Sequence, residues 1–208
     1  MTQPAISHEQ AATFERCMSA GGIAVFPSDT VYGLACDPAN REAVDRIYAL
    51  KQRPPGKPAA VMFFQLDLAL AALPELGPRT HAALEELLPG PVTLLLPNPA
   101  ARFPLAGGHD GATLGLRVPA LPPALAALQS VRWPVLQTSA NAAGAPEART
   151  LAEVPELLQA EADLVLDGGD LPGLASTVVD LRGFEASGAW AIVRPGALPA
   201  DHVAEVLG

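Results

Sequence analysis

The chain has 208 residues, half of them apolar and 17% charged, and its formal net charge is −9. This composition excludes a disordered chain, and the length is sufficient for one sizeable domain with a complete hydrophobic core. The negative charge argues against a protein that binds nucleic acid over its whole surface, because phosphate binding requires a basic face.

Helical and strand patterns alternate along the first half of the chain. Ser7 and Gln10 have the spacing of a capping box, and the apolar stripe behind them predicts a helix that ends at Gly21. The elements predicted next are a strand at 23–26, a helix over 43–50 ended by Pro54, a strand at 59–64, a helix opened by Pro78 and a buried strand at 92–96.

The second half begins with a long loop at 98–111, which holds two prolines and three glycines. Loops of this length are usually functional, so we expect a lid. The elements predicted next are strands at 114–118, 135–137, 164–166, 177–181 and 190–193, and helices over 122–129, 150–160 and 199–207. A hairpin-like connection at 182–188 joins the last two strands. Helical crossovers together with a late hairpin predict one α/β domain over residues 1–208, built on a mixed sheet.

Polar clusters follow the apolar strands at 27–33, 138–144 and 168–177, where open α/β sheets bind ligands. None of them has the spacing of a nucleophile elbow, a phosphate-binding loop or a dinucleotide-binding turn. We therefore expect no covalent nucleophile. The short hydroxyls, amides and isolated cations that are present suit a small polar ligand together with a polyphosphate.

Each cluster also has an ordinary structural interpretation. Lys51 and Arg53 could complement the C-terminus of the preceding helix, an effect of about 0.3 to 1 kcal/mol. Ser139 and Asn141 could be turn or capping residues. Arg117 is harder to explain in this way, because a cation in an apolar strand is costly unless it meets an anion.

Seven motifs occur in a fixed order and cover residues 21–196. They are PSDTVYGL at 27–34, KQRP at 51–54 with KP at 57–58, LPGPVTL at 88–94, GLRVP at 115–119, TSAN at 138–141 with Gly144, STVVD at 176–180 and VRPG at 193–196. Together they resemble the YrdC-like family, the threonylcarbamoyl-AMP synthases of the bacterial single-domain type. The resemblance implies a twisted mixed sheet with flanking helices around a deep concave cavity, a fold related to dihydroxybutanone-phosphate synthase, without an appended C-terminal domain.

The resemblance also implies an activity. Members of the family are nucleotidyltransferases that convert L-threonine, bicarbonate and ATP into L-threonylcarbamoyl-adenylate and pyrophosphate. The product serves the tRNA threonylcarbamoyltransferase machinery, which modifies adenosine 37 of certain tRNAs. The expected metal is Mg²⁺ bound to ATP. No structural metal is expected, because the two cysteines and four histidines lack ligand spacing.

The site residues follow from the same resemblance. L-threonine would meet Thr30, Arg117 and Ser176. ATP would meet Lys51, Arg53, Thr113, Ser139, Asn141 and Arg194, with Lys51 and Arg53 stabilising charge. An extended Gln52 would place Lys51 and Arg53 on the same side of the chain. Two positions depart from the family pattern, because Ala143 and Glu147 stand where hydroxyl residues are frequent, and a carboxylate there would repel a phosphate.

Two other functions stay open from the sequence. The chain could be an RNA-binding module, which its negative charge argues against, or a diverged paralogue without activity. No apolar run approaches the roughly 18 to 20 residues of a membrane span, and the N-terminus lacks the pattern of a signal peptide. We therefore expect a cytoplasmic protein without a membrane partner.

Overall fold

The computed structural model describes residues 4–54, 56–109, 111–142 and 144–208. Within these ranges the apolar segments form strands and the amphipathic ones form helices. The strands are β1 Ala24–Pro27, β2 Tyr32–Cys36, β3 Ala60–Met62, β4 Val92–Pro97, β5 Thr113–Arg117, β6 Val135–Ser139, β7 Leu164–Val165, β8 Thr177–Asp180 and β9 Ala191–Arg194. The helices are α1 His8–Ser19, α2 Arg41–Leu50, α3 Leu66–Ala72, α4 Pro78–Leu87, α5 Glu156–Glu161, α6 Phe184–Ser187 and α7 Ala200–Leu207, with 3-10 helices at Pro123–Ser130 and Leu151–Glu153.

The strands of the described chain form one sheet in the order β7-β1-β2-β6-β3-β5-β4-β8-β9. The pairs β1–β7, β3–β5 and β4–β8 are parallel, and the other five are antiparallel. The predicted mixed α/β sheet is thus confirmed. Because β6 lies between β2 and β3, its C-terminal end is close to the loop that joins β1 to β2.

Local signals explain where the first helices begin and end. The predicted capping box is present at α1, where the Ser7 hydroxyl accepts from the Gln10 amide and the Gln10 side chain accepts from the Ser7 amide. Pro78 occupies the first turn of α4, where its missing N–H costs nothing. Behind these helices lies an apolar core that includes Phe14, Phe26 and Phe64, whose ring centroids are 5.2 to 6.3 Å apart.

Four of the sequence-based expectations about the elements are wrong or incomplete. Strand β2 and helix α3 were not expected. The segment predicted as one helix over 150–160 is divided at Pro155, and the predicted hairpin connection between β8 and β9 contains the single turn α6. Proline explains the division, because it cannot donate the backbone hydrogen bond that continues a helix.

Candidate functional site

A cavity of about 850 Å³ opens at the ends of the central strands. All nine residues to which the sequence assigned ligand binding line it. They are Thr30, Lys51, Arg53, Thr113, Arg117, Ser139, Asn141, Ser176 and Arg194. They come from six separate segments of the chain, so the sheet is what brings them together. The expected concave cavity is therefore present, and its size is typical of small-molecule and cofactor sites.

The cavity is strongly cationic, although the chain as a whole is acidic. Six basic side chains of the described residues line it, whereas Glu147 is the one carboxylate that does so. Lys57 and Arg182 belong to this basic set and were not among the predicted site residues. Such a concentration of positive charge inside a concave wall attracts small anions.

Lys51 is buried at the C-terminal cap of α2, but its ammonium does not bind the carbonyls of that helix. It donates to the backbone oxygen of Ser139 and to the backbone and side-chain oxygens of Asn141, the last two at 2.8 and 3.2 Å. The helix-end interpretation of Lys51 is thus replaced by a link between α2 and the loop after β6. Burial, reinforced by the charge of Arg53, lowers the pKa of Lys51 to about 8.

Arg53 reaches the same cavity by a different backbone path from the expected one. Gln52 is not extended, because its φ is +48°. The Arg53 amide donates to the Tyr48 carbonyl at 2.9 Å and the Gln52 amide to that of Ala49 at 3.0 Å, which together form a Schellman motif at the end of α2. The guanidinium donates to the Thr138 hydroxyl at 3.3 Å and to the Pro58 carbonyl, and it lies 5.6 Å from the centre of the Tyr48 ring.

Arg117, at the end of β5, meets the anion that its place in an apolar strand requires. Its Nη2 donates to Asp29 Oδ1 at 2.7 Å and to the Thr30 hydroxyl at 3.3 Å, while Nη1 is 3.5 Å from the side-chain oxygen of Gln137. Burial lowers the pKa of Arg117 and raises that of Asp29, and each charge opposes the shift of the other. Asp29 was not among the predicted site residues. The need of Arg117 for an anionic partner was the sequence feature that could have pointed to it.

Ser176 and Arg194 form a third group of contacts that lines the cavity. Arg194 donates to the Ser176 carbonyl at 2.8 Å and lies 3.3 Å from its hydroxyl, which is 2.8 Å from the hydroxyl of Thr93. Gly196 allows this approach, because a Cβ there would lie 2.3 Å from the Ala175 carbonyl oxygen. Thr93 lines the cavity and is a further hydroxyl that the sequence analysis missed.

The loop predicted at 98–111 borders the cavity. Gly107, Gly108 and His109 line it, and the Asn98 side chain holds the base of the loop by donating to the carbonyls of Arg102 and Gly111. Thr113 follows at the start of β5, where its hydroxyl accepts from Arg182 at 3.4 Å. A loop is thus present as predicted, and its role as a lid stays a prediction.

Of the two departures from the family pattern, Glu147 lies on the loop after β6. Glu147 lines the cavity, and its charge acts on both Lys51 and Arg117, since it raises the pKa of each. Ala143 lies outside the described residues. In the described part of the chain no helix is long and apolar enough to cross a membrane, and no three His, Cys, Asp or Glu side chains are grouped for a metal ion.

The sheet and its cationic cavity define an α/β protein with a concave site whose charge favours small anions. The family model for Sua5, YciO and YrdC, which carries the description telomere recombination, matches residues 16–196. The chain therefore belongs to the Sua5/YciO/YrdC family.

Similar proteins of this family include several that are named threonylcarbamoyl-AMP synthase. A Xanthomonas campestris protein named threonylcarbamoyl-AMP synthase is 38% identical over 165 residues, which are 76% of this chain and 84% of that protein. A Pyrococcus abyssi protein of the same name is 32% identical over 193 residues, 90% of this chain, so the chain spans about half (54%) of that relative's length. A crystal structure of P. abyssi Sua5 complexed with L-threonine superposes with a TM-score of 0.83 at 28% identity, over 98% of this chain and 58% of that one.

Proposed function

We propose that this protein is a nucleotidyltransferase that forms L-threonylcarbamoyl-adenylate from L-threonine, bicarbonate and ATP and releases pyrophosphate. The observation that carries the proposal is the convergence of all nine expected binding residues on one cationic cavity. The name shared by the bacterial and archaeal relatives supports the same reaction, and the L-threonine bound to P. abyssi Sua5 supports the amino-acid substrate.

The threonine end of the cavity lies around Arg117. Its guanidinium is the natural partner of a carboxylate, because charge-assisted hydrogen bonds from arginine are strong and directional. Thr30 contacts Arg117, and Ser176 faces the cavity from the start of β8, so both hydroxyls can hydrogen-bond the polar groups of an amino acid. Arg117, Thr30 and Ser176 are the residues that we assign to L-threonine.

The nucleotide end holds the remaining cations. Lys51, Arg53 and Arg194 line the cavity, and Ser139, Asn141 and Thr113 line it as hydrogen-bonding groups. A triphosphate placed among these side chains would have part of its charge neutralised by the three cations. Charge that develops on the pyrophosphate leaving group is stabilised by the same groups, so Lys51 and Arg53 act electrostatically.

The chemistry needs no nucleophile from the protein. The threonine amine attacks bicarbonate-derived CO₂, so that the N–C bond of a carbamate forms and one water is lost from bicarbonate. A carbamate oxygen then attacks the α-phosphorus of ATP, an O–P bond forms, and the bond to pyrophosphate breaks. The cavity contributes by holding the reactants in line and by stabilising charge.

Magnesium enters this scheme as part of the ATP substrate. Mg²⁺ is usually held by substrate phosphates, water and one or two carboxylates. Glu147 is the one carboxylate among the described residues that line the cavity, so the donor set fits a metal that the nucleotide brings with it. Bound in this way, the ion neutralises phosphate charge, and Glu147 would be its protein ligand.

The product is an activated threonylcarbamoyl group, which supplies the tRNA threonylcarbamoyltransferase machinery that modifies adenosine 37. A substrate pair of ATP and bicarbonate and a tRNA-directed product support a cytoplasmic location for the reaction. The relatives' shared name supports this place in tRNA modification.

Pyrophosphate release from ATP tests the proposal. We expect release only when threonine and bicarbonate are both present, because the attacking carbamate needs both. Discrimination against serine should be modest, since one methyl group is worth about 1–3 kcal/mol. Release at the same rate without any amino acid would overturn the assignment.

A further inference from the structure

Asp29 is a buried carboxylate that no step of the proposed reaction uses. It lies in the loop between β1 and β2, and its side chain and that of Arg117 are each 3% exposed. One oxygen accepts from Arg117 Nη2 at 2.7 Å and the other from the backbone amide of Ala120 at 3.0 Å. Both carboxylate oxygens are therefore engaged, one by the arginine and one by the backbone that follows β5.

This arrangement fixes the orientation of the guanidinium. Nη2 is held by Asp29 and Thr30, whereas the Nε of Arg117 has no hydrogen-bond partner and Nη1 has only the long contact of 3.5 Å to Gln137. An arginine has five N–H donors in a rigid plane, so fixing Nη2 also fixes the directions of the others. The directions of the remaining donors on Nε and Nη1 are thereby fixed before a ligand arrives.

We propose that Asp29 is a positioning residue for the amino-acid end of the cavity, which holds Arg117 in the orientation that receives the substrate carboxylate. This inference rests on the proposed function, since it takes Arg117 as the carboxylate partner. Asp29 does not touch the substrate and acts only through Arg117. Its removal should therefore weaken threonine binding far more than ATP binding.

A second cavity lies behind Asp29 and makes the idea testable by chemical rescue. Its volume is about 690 Å³, and Asp29 and Ala120 line it together with Pro122. Asp29 thus lines the second cavity, whereas its partner Arg117 lines the cationic one. A shortened side chain at position 29 would leave a space beside Arg117 that a small carboxylate could reach from the second cavity.

The first experiment compares Asp29→Asn with Asp163→Asn. Asparagine has one oxygen and one NH₂, so at position 29 it can satisfy only one of the two donors that Asp29 satisfies. Asp163 is a matched control, because it also accepts from a backbone amide, that of Ile23 at 2.8 Å, and pairs with Arg46 at 3.3 Å, away from both cavities. We expect Asp29→Asn to raise the KM for threonine at least tenfold and that for ATP less than twofold. Asp163→Asn should change neither. An unchanged threonine KM in folded Asp29→Asn would overturn the inference.

The second experiment uses Asp29→Ala with formate as the added carboxylate. Formate should lower the calorimetric Kd of Asp29→Ala for threonine at least fivefold. Chloride at equal ionic strength should leave that Kd unchanged. In the wild-type protein and in Arg117→Ala, formate should bring no gain. Rescue that is absent, or that chloride produces equally, would overturn the inference. If Asp29→Ala does not fold, the isosteric Asp29→Asn decides alone.

The two proposals fail in different ways. A wild-type protein without threonine-dependent pyrophosphate release contradicts the proposed function. A wild-type protein that is active, beside an Asp29→Asn variant with an unchanged threonine KM, contradicts only the role of Asp29.

Discussion

The ammonium of Lys51 provides a sharp test of the nucleotide end, because it is buried and its pKa is lowered to about 8. Only the protonated form can neutralise a phosphate and donate to all three oxygens on Ser139 and Asn141. Binding of ATP should therefore weaken as the pH rises through 8, even though the nucleotide stays fully ionised.

The expected size of the effect follows from the titration. If only the ammonium form binds, the apparent Kd for ATP rises in proportion to the ratio of neutral to charged lysine. At one pH unit above a pKa of about 8 this is a loss of about tenfold, equal to about 1.4 kcal/mol of binding free energy.

Calorimetric titration of ATP between pH 7 and about pH 9.5 measures this loss without interference from the threonine amine, which also titrates. Lys51→Arg keeps its charge across the range, so its affinity should be independent of pH, whereas Lys51→Met should bind weakly at every pH. Constant wild-type affinity over the range would refute the reasoning. It would mean that the oxygen partners on the Ser139–Asn141 loop hold the proton more strongly than burial repels it.

Stability should change with pH in the opposite direction. Below pH 8 the folded and unfolded states both hold the Lys51 proton, and the folded state carries the full cost of a buried charge. Between pH 8 and the unfolded value of 10.5 the folded state loses its proton first, so this group's contribution to the free energy of unfolding rises, by roughly 3 kcal/mol in total. Urea unfolding of wild type against Lys51→Met across this window measures it, and a difference independent of pH would contradict it.

Four further changes test other parts of the molecule. Arg117→Ala should weaken threonine binding about 10- to 100-fold in calorimetry and change ATP binding less than threefold, since a hydrogen bond to a charged group contributes about 1.5–3 kcal/mol. Arg53→Lys should lower kcat and raise the KM for ATP, because it keeps the charge but loses the planar fork; unchanged kinetics would contradict this. Glu147→Gln should tighten metal-free ATP and weaken magnesium–ATP in binding titrations; equal effects on both would exclude a role for Glu147 at the metal. Phe14→Ala should cost about 3–5 kcal/mol of unfolding free energy, whereas the control Leu157→Ala, at a 60% exposed position, should stay within about 0.5 kcal/mol.

Helix signals in this sequence are local, and they were sufficient for α1 and α4. The capping box of α1 lies within four residues, and the proline that opens α4 fixes its first turn. Strand β2 carries no comparable signal. Every residue of β2 is buried and one is glycine, so no alternation of apolar and polar residues marks it. Its existence depends on pairing with β1 and β6, which lies about a hundred residues further along the chain.

The backbone at Gln52 shows how a local sequence argument can predict the wrong backbone conformation and still place the neighbouring side chains in the right site. Proline at 54 biases the residue before it, Arg53, towards extended conformations, but says nothing about Gln52. The hydrogen bonds that close α2 control Gln52 and give it a positive φ. Lys51 and Arg53 still reach one cavity, because the Schellman turn reverses the chain between them. The motif resemblance predicted that Lys51 and Arg53 would line one site. The backbone path that brings them there could be read only from the structure.

The opposite charges of the whole chain and its cavity bear on the choice between a nucleotide and a nucleic acid. Six of the thirteen basic residues line the cavity, which leaves the remaining surface more acidic than the net charge of −9 suggests. A long polyanion must extend over that acidic surface and is repelled there. A small anion inside the cavity interacts mainly with the cations that line it, because charges further away than the Debye length of about 8 Å are screened. The same arrangement that favours ATP over RNA also explains why composition alone could not locate the site, since the cations of the segment after α2, of β5 and of β9 converge only in the folded sheet.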